Sequence, residues 1–314
     1  MQKKIRGKMQ ESWYNRGSVT ILVAAGMVAF LGFAALVLDV GYLYAERVKL
    51  SNGIDAAALA GAAYLPDKSA LARSEAEGYL AKNGIDPAEV AISIGEGGSS
   101  ISLQAARELN LFFAPVLGIG QGTVAAENEI VVGPLASANM GLRPFAMEYF
   151  PYSYGDQVQL LEGPGDGYSG NYNAIYIKPK SADENVNANT FYELIRNGYT
   201  GPVKIGDWKE TDTGVKPQTK KAVEDTIAKD PAATRSTVLP GSPRLWTIPI
   251  VSTLEVSGSK SVQIVGFAQF FIEDYASTSR NVLTGTFLRF IAPGEIDTSG
   301  EAWDTGAYGY KMTK

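Results

Sequence analysis

Residues 18–38, SVTILVAAGMVAFLGFAALVL, form a run of 21 residues without a charged side chain. An α-helix rises about 1.5 Å per residue and the hydrocarbon core of a bilayer is about 30 Å thick, so the run can cross a membrane once. Ahead of it stand Lys3, Lys4, Arg6, Lys8 and Arg16 against a single acid, Glu11. Basic flanks stay cytoplasmic, which places residues 1–17 inside as a basic leader and everything after the run outside. A removable secretory signal would have a shorter apolar stretch, about 7–15 residues, closed by a small-x-small cleavage site. Here the run is longer and the sequence remains helix-compatible to Leu65, so an anchor is expected. Val19, Ile21, Leu22, Phe30, Leu31, Phe33, Leu36 and Val37 are its candidate lipid- and helix-packing residues.

Composition excludes several functions. The chain has 314 residues and a formal net charge of −5, and it contains no cysteine and no histidine. A net acidic surface does not match the positive field that nucleic acid requires. Without Cys and His there is no disulfide framework, no Ser-His-Asp or Cys-His pair, and no zinc site of the usual nitrogen and sulfur donors. No cofactor and no metal are expected.

Between Ser18 and Leu65 the helix breakers are the glycines at 26, 32, 41, 53 and 61, and proline first enters at Pro66. The outer part presents small residues at helical spacing, Ala56, Ala60 and Ala63, with Gly53 and Gly61 beside them, interrupted by Asp55. Such a ridge permits close backbone approach, either to the protein's own domain or to a helix of an assembly. Ser51-Asn52-Gly53 offers an alternative break between two helices.

These residues also carry a family likeness. Arg16-Gly17, the apolar span, Asp39-Val40-Gly41, Arg47-Val48-Lys49-Leu50 and the Asp55–Ala62 stretch DAAALAGA occur in an order that resembles the amino-terminal module of TadE/TadG-like proteins of Tad (Flp) pilus assembly. The stretches LNLFFAPVLGIGQGTVAAENEIVV, GDGYSGNY, NGYTGPVKIGDW, VQIVGFAQFF and TGTFLRF also resemble segments of TadG-related proteins. The resemblance implies a membrane-held pilus-assembly or minor-pilin-like component, with pilus-assembly or pilin-like partners, and no catalytic residues. Gly17 and Ser18 flank the place where a prepilin-type leader would be cut. At the fifth position beyond, where such leaders have Glu, this chain has Leu22. The Asp-x-Ser-x-Ser metal motif of larger TadG proteins is missing from the sequence.

Beyond the anchor, Pro66-Asp67 should open a helix to about Asn83, with Asp67 as its cap and Gly84 as its left-handed stop. Val90–Ile94 and Ser100–Ala106 read as a hairpin, 108–117 as a short helix turning Leu109, Phe112, Phe113 and Val116 to a core, and Thr123–Val132 as a returning strand. Residues 66–133 thus form a small α+β unit. From 134 to 298 the chain reads as a β-rich domain, with strands at 158–161, 174–178, 245–251, 263–272 and 284–291, and helices near 189–197 and 217–228. The polar, Gly-rich stretch 299–314 reads as a poorly ordered tail.

Other motifs carry less. Gly165, Gly167 and Gly170 have G-x-G-x-x-G spacing, but a strand pattern follows where a nucleotide site needs a helix, which favours a turn. Asp156, Asp166, Asp207 and Asp212 lack calcium-loop spacing and suit Asx turns. Glu273 and Asp274 are adjacent, and where a strand continues through them they point to opposite faces and do not act together as a glycosidase pair. The aromatic segment around Glu148, Tyr149, Phe150, Tyr152 and Tyr154 fits a β-domain core or a binding surface.

The sequence therefore predicts an α+β chain with a long transmembrane, pilin-like amino-terminal helix, a small α+β unit and a β-rich extracytoplasmic domain. The expected function is non-catalytic and structural, in pilus assembly, with membrane lipid, pilin-like proteins and self-association through the first helix as partners. A surface-anchored adhesin or ligand-binding module is the alternative, and an exported hydrolase using Ser-Lys or carboxylate chemistry is the third reading.

Overall fold

The structure, a computed structural model, describes residues 6–162, 171–177, 188–212, 218–254, 261–277, 281–300 and 302–313. The apolar run and the alanine-rich stretch form one helix, α1 (Arg6–Ala62), of 57 residues. At the standard rise it is about 85 Å long. Asn52 and Gly53 do not break it; Gly53 lies against Ile85 with no room for a β-carbon.

The remaining elements in chain order are α2 (Ser69–Lys82), β1 (Val90–Ile94), β2 (Ser100–Asn110), β3 (Gln121–Ala138), β4 (Phe145–Glu148), β5 (Gln157–Glu162) and β6 (Asn171–Ile175). They continue with α3 (Ala188–Asn197), β7 (Val203–Lys204), β8 (Trp208–Asp212), α4 (Thr219–Ile227), β9 (Leu245–Val251) and β10 (Ser261–Ser277). Last come β11 (Asn281–Leu288), β12 (Phe290–Ile291), β13 (Gly294–Ile296) and β14 (Ala307–Met312). The class is α+β with a β-rich carboxyl-terminal region.

The first sheet runs β1-β2-β3-β14-β12, with β13 and β7 also pairing along β3. Ile101 and Leu103 alternate inward on β2 and Ile130 and Val132 on β3, the period of two that a one-faced sheet needs. The covering layer is α1 and α2. Leu50, Ile54, Ala57, Ala58 and Ala62 of α1, with Leu65 of the turn after it, meet Ala72, Ala76 and Leu80 of α2 in the core over this sheet. Gly84 ends the second helix at φ +70°, the left-handed stop expected there. Asp67 does not cap this helix; the N-cap is Lys68, and the Asp67 carboxylate instead faces Arg289 at 3.3 Å.

The second sheet closes on itself. Its pairings run β11-β5-β6-β4-β9-β10, and β10 returns to β11, with β8 bridging β6 and β10. Inside pack Phe145, Met147, Leu160, Trp246, Ile248, Phe270 and Phe287, while Phe191 and Ile195 of α3 and Ala222 and Val223 of α4 extend the same core. The aromatic segment divides: Phe150 is buried, Tyr152 stacks on Phe287 at 3.9 Å between centroids, and Tyr149 is exposed against Trp303.

Two further expectations are corrected. Residues 108–117 are not a core-facing helix: 108–110 complete β2, only Ala114–Leu117 form a 3₁₀ turn, and Phe112, Phe113 and Val116 are exposed. Pro115, Gly118 and Gly120 explain why no α-helix propagates there. The stretch 299–314 is not a loose tail, because β14 returns to the first sheet with Tyr308 opposite Pro134 and Met312 opposite Ile130. The absence of a side chain at Gly309 leaves room for Leu135 and Ile296.

The boundary near 133 falls inside β3, so the two parts share a strand, and other contacts join them. Arg289 spans Asp67 and Asp304 at 3.3 Å each, and the Lys68 ammonium donates to the Val238 carbonyl at 3.0 Å. Beside this seam burial raises the phenol pKa of Tyr152, Tyr154 and Tyr308, and the neighbouring Asp304 raises them further.

Candidate functional site

The site is the junction where α1 leaves its exposed apolar run and meets the folded domain. Val19, Ile21, Leu22, Phe30, Leu31, Phe33 and Val37 are all exposed, and Leu36 is half-buried. The helix is long and apolar enough to cross a membrane, and none of its most apolar window is buried by the protein. From Asp39 onward, positions 39, 43, 46, 50, 54, 57 and 61, spaced three and four apart, make one stripe that faces the domain. The apolar surface thus changes from a cylinder exposed all round to a single buried stripe.

Asp39 marks the change. Its carboxylate is 2% exposed and receives three backbone N–H groups, from Phe112 to Oδ1 at 2.8 Å, and from Phe113 and Ala114 to Oδ2 at 2.9 and 2.6 Å. Those donors open the 3₁₀ turn at the tip of the β2–β3 hairpin, where successive N–H groups point the same way and an anion completes them. Tyr42 adds an edge-on contact with Phe112 at 5.2 Å. Four positions along, Leu43 lies so close to Gly122 that a β-carbon there would come within 2.8 Å of its Cδ1. Gly41 stands in open space and makes no such contact.

Two polar links fix the helix higher up. The Arg107 guanidinium binds Glu89 at 2.7 Å and reaches Glu46 of the helix at 3.8 Å. The Asn128 amide, 1% exposed, donates to Asp55 Oδ1 at 2.6 Å. Asp55 therefore anchors α1 to the middle of β3. At the far end Gly61 lies against Ile101, the carbonyl of Ala72 and Ala76. Ala56, Ala60 and Ala63 lie beside the buried stripe and stay half-exposed, while Ala57, Ala58 and Ala62 take the core positions.

Residues 17–63 match the family model described as Flp pilus-assembly TadE/G-like. Over this segment the chain is similar to TadE/G-like proteins. No curated protein and no solved structure gives a significant match. The matched segment coincides with α1 from the start of the exposed run to its last turn, so the TadE/G-like module is the anchor candidate together with the helix that organises the first sheet. Of its marker residues, Asp39 and Asp55 each bind the β2–β3 hairpin. Arg16, Gly17 and Ser18 lie on the helix, where only the backbone is described. Lys3, Lys4, Gly165, Asp166, Gly167 and Gly170 lie outside the described residues.

The remaining candidates are not gathered into one place. Among the described residues no cluster of three or more acidic side chains could hold a metal ion. Asp207 accepts the backbone N–H of Lys204, three residues before it, at 3.1 Å, which ties the turn without the forward bond of an Asx turn, and Asp156 is exposed. Glu273 accepts from Thr286 Oγ1 at 3.0 Å and from Gln157, and it sits within the register shift between Ile272 and Asp274, where the regular alternation expected of these two acids is interrupted. Sequence reasoning missed Arg107, Asn128, Leu43 and the hairpin tip. Only the tip left a signal: Leu109 to Ala126 holds no charge, as a solvent-exposed hairpin end would be expected to.

Proposed function

We propose that the chain is a membrane-anchored, extracytoplasmic, non-catalytic component of Tad/Flp pilus assembly, in which α1 both crosses the bilayer and forms the spine of the first domain. The observation that carries this reading is the junction at Asp39. An apolar helix exposed on every side, inside a TadE/G-like match, passes without a break into a stripe buried under a sheet. Exposed apolar surface of that extent is stable only under a lipid or protein cover. The basic residues ahead of the run favour a cytoplasmic amino terminus. The half-exposed Ala56, Ala60 and Ala63 leave a strip of small side chains on which a second helix, from another copy or a pilin-like partner, could pack.

The test is crosslinking and shearing. The protein is expected to fractionate with membranes, to need detergent for release, and to crosslink to pilus-assembly proteins or co-purify with sheared filaments. Recovery only as an isolated membrane monomer would favour an anchored adhesin instead. Amino-terminal sequencing separates a retained leader, starting at Met1, from processing between Gly17 and Ser18.

A further inference from the structure

We propose that the tip of the β2–β3 hairpin, residues 111–119, is a second membrane contact, a wedge that inserts among the acyl chains of the outer leaflet beside α1. The inference rests on the reading of α1 as a membrane anchor and adds to it a contact made by the folded domain itself.

The tip sequence is LFFAPVLGI. Phe112, Val116, Leu117 and Ile119 are 67%, 89%, 63% and 54% exposed, and Phe113 is 44% exposed. A soluble hairpin end of this kind is normally polar, because backbone turns face water. Here the uncharged stretch extends from Leu109 through Ala126, between Glu108 and Glu127. The loop is well tied: Leu111 N–H donates to the Gly120 carbonyl at 3.1 Å, and Ile119 N–H to that of Ala114 at 3.2 Å. Its apolar side chains are therefore held outward by a built structure.

Its position decides the occupant. Phe113, Val116 and Leu117 line an open cleft of about 310 Å³ with Ala29, Gly32, Phe33, Ala35 and Leu36 of α1, and every lining residue is apolar. Gly32 lies seven positions before Asp39, about 10 Å along the helix. The tip thus projects past Asp39 along the charge-free run, and its exposed surface is continuous with the exposed surface of the helix. Whatever covers the helix at Phe33 and Leu36 covers Val116 and Leu117 too. For a spanning helix that cover is the hydrocarbon of the outer leaflet. A wedge held to α1 by the Asp39 carboxylate would fix how the extracytoplasmic domain is seated on the membrane.

Because the chain has no cysteine, single cysteines can be labelled without background. The full chain carrying Val116→Cys, Val28→Cys or Lys229→Cys, each with an environment-sensitive fluorophore, is reconstituted in phosphatidylcholine vesicles with or without acyl-brominated lipid. Quenching at Val116 comparable with that at Val28, and none at Lys229, is the expected result. Quenching at Val28 but not at Val116 would overturn the wedge and leave the anchor standing. No quenching at either position would overturn both. A Val116 label that lipid bromine does not quench, while Val116→Cys forms a disulfide with a second copy, would overturn the lipid contact in favour of self-association.

Discussion

Gly61→Ala and Gly78→Ala are the same chemical change in two helices and should act with opposite sign. In a helix interior, alanine is about 1 kcal/mol more favourable than glycine because the unfolded chain loses less backbone freedom. At Gly78, in α2, a β-carbon meets nothing within 4 Å, so the gain should appear nearly whole. At Gly61 it would come 2.6 Å from Ile101 Cδ1, 2.8 Å from the Ala72 carbonyl oxygen and 3.3 Å from Ala76 Cβ. The Ile101 methyl can turn aside, but the Ala72 carbonyl belongs to the facing helix and cannot move without shifting α2. Overpacking of this kind costs about 1–3 kcal/mol, and the backbone contact puts Gly61 toward the upper end. Subtracting the propensity gain leaves a net loss of about 1–2 kcal/mol. For a folded part of this size each kcal/mol moves the melting temperature by about 2–4 °C. Thermal unfolding of the full chain in detergent, followed by tryptophan fluorescence, should therefore show Gly78→Ala a few degrees above and Gly61→Ala a few degrees below the parent. If Gly61→Ala is as stable as Gly78→Ala, the close packing of α1 on α2 is not as described.

Three further outcomes are expected. Asp39→Asn puts an amide donor where one carboxylate oxygen accepts, so amide exchange at Phe112, Phe113 and Ala114 should accelerate by about tenfold or more while the second sheet is unaffected; hydrogen-exchange mass spectrometry reads this directly. Arg143 is 5% exposed with its Nε and Nη1 unpaired, and burial alone lowers its pKa to about 10, a penalty on the order of 3 kcal/mol against the charge. Its contact with the Trp246 ring, 5.6 Å away, returns only part of that, so Arg143→Met should raise the melting temperature, and a fall of several degrees would contradict the argument. Tyr152, Tyr154 and Tyr308 have folded pKa values above the ordinary 10, so above about pH 10 the unfolded state loses protons the folded state keeps. Stability should fall as pH rises past 10, three phenols outweighing the opposite tendency of Lys68, Arg143 and Arg244, whose pKa values burial lowers, and a urea midpoint that holds constant from pH 9 to about 11 would refute this.

Local patterns were legible where a short period decides the structure. The strands at 90–94 and 245–251 form with the bounds their pattern predicts, because alternation or a continuous apolar run is visible within one element. Gly84 and Pro66 likewise mark real punctuation. The α+β class and the single long helix follow from the same local signals. Three features lay beyond such reading. The closed second sheet depends on pairings such as Leu160 with Leu283, more than a hundred residues apart, and no local pattern specifies its partner. The return of β14 depends on the space beside Leu135 and Ile296. The apolar side chains of the hairpin tip suggest a core in the sequence, whereas Asp39, on a helix far away in the chain, holds the tip backbone so that they face outward. At the site, Asp55 stands out in the sequence as an interruption of an alanine-rich stretch, and Asp39 as part of the Asp39-Val40-Gly41 element of the family likeness. Their partners do not, since backbone N–H groups carry no signature and Asn128 is one amide among many.

The central claim is that α1 crosses the membrane once and carries the folded domain outside. Labelling intact cells with a membrane-impermeant maleimide measures this in a chain that has no cysteine of its own. Lys229→Cys should react in intact cells, and Ser12→Cys only after permeabilisation. Recovery of the full-length chain from the aqueous fraction without detergent, or labelling of Ser12→Cys in intact cells with Lys229→Cys protected, would contradict it.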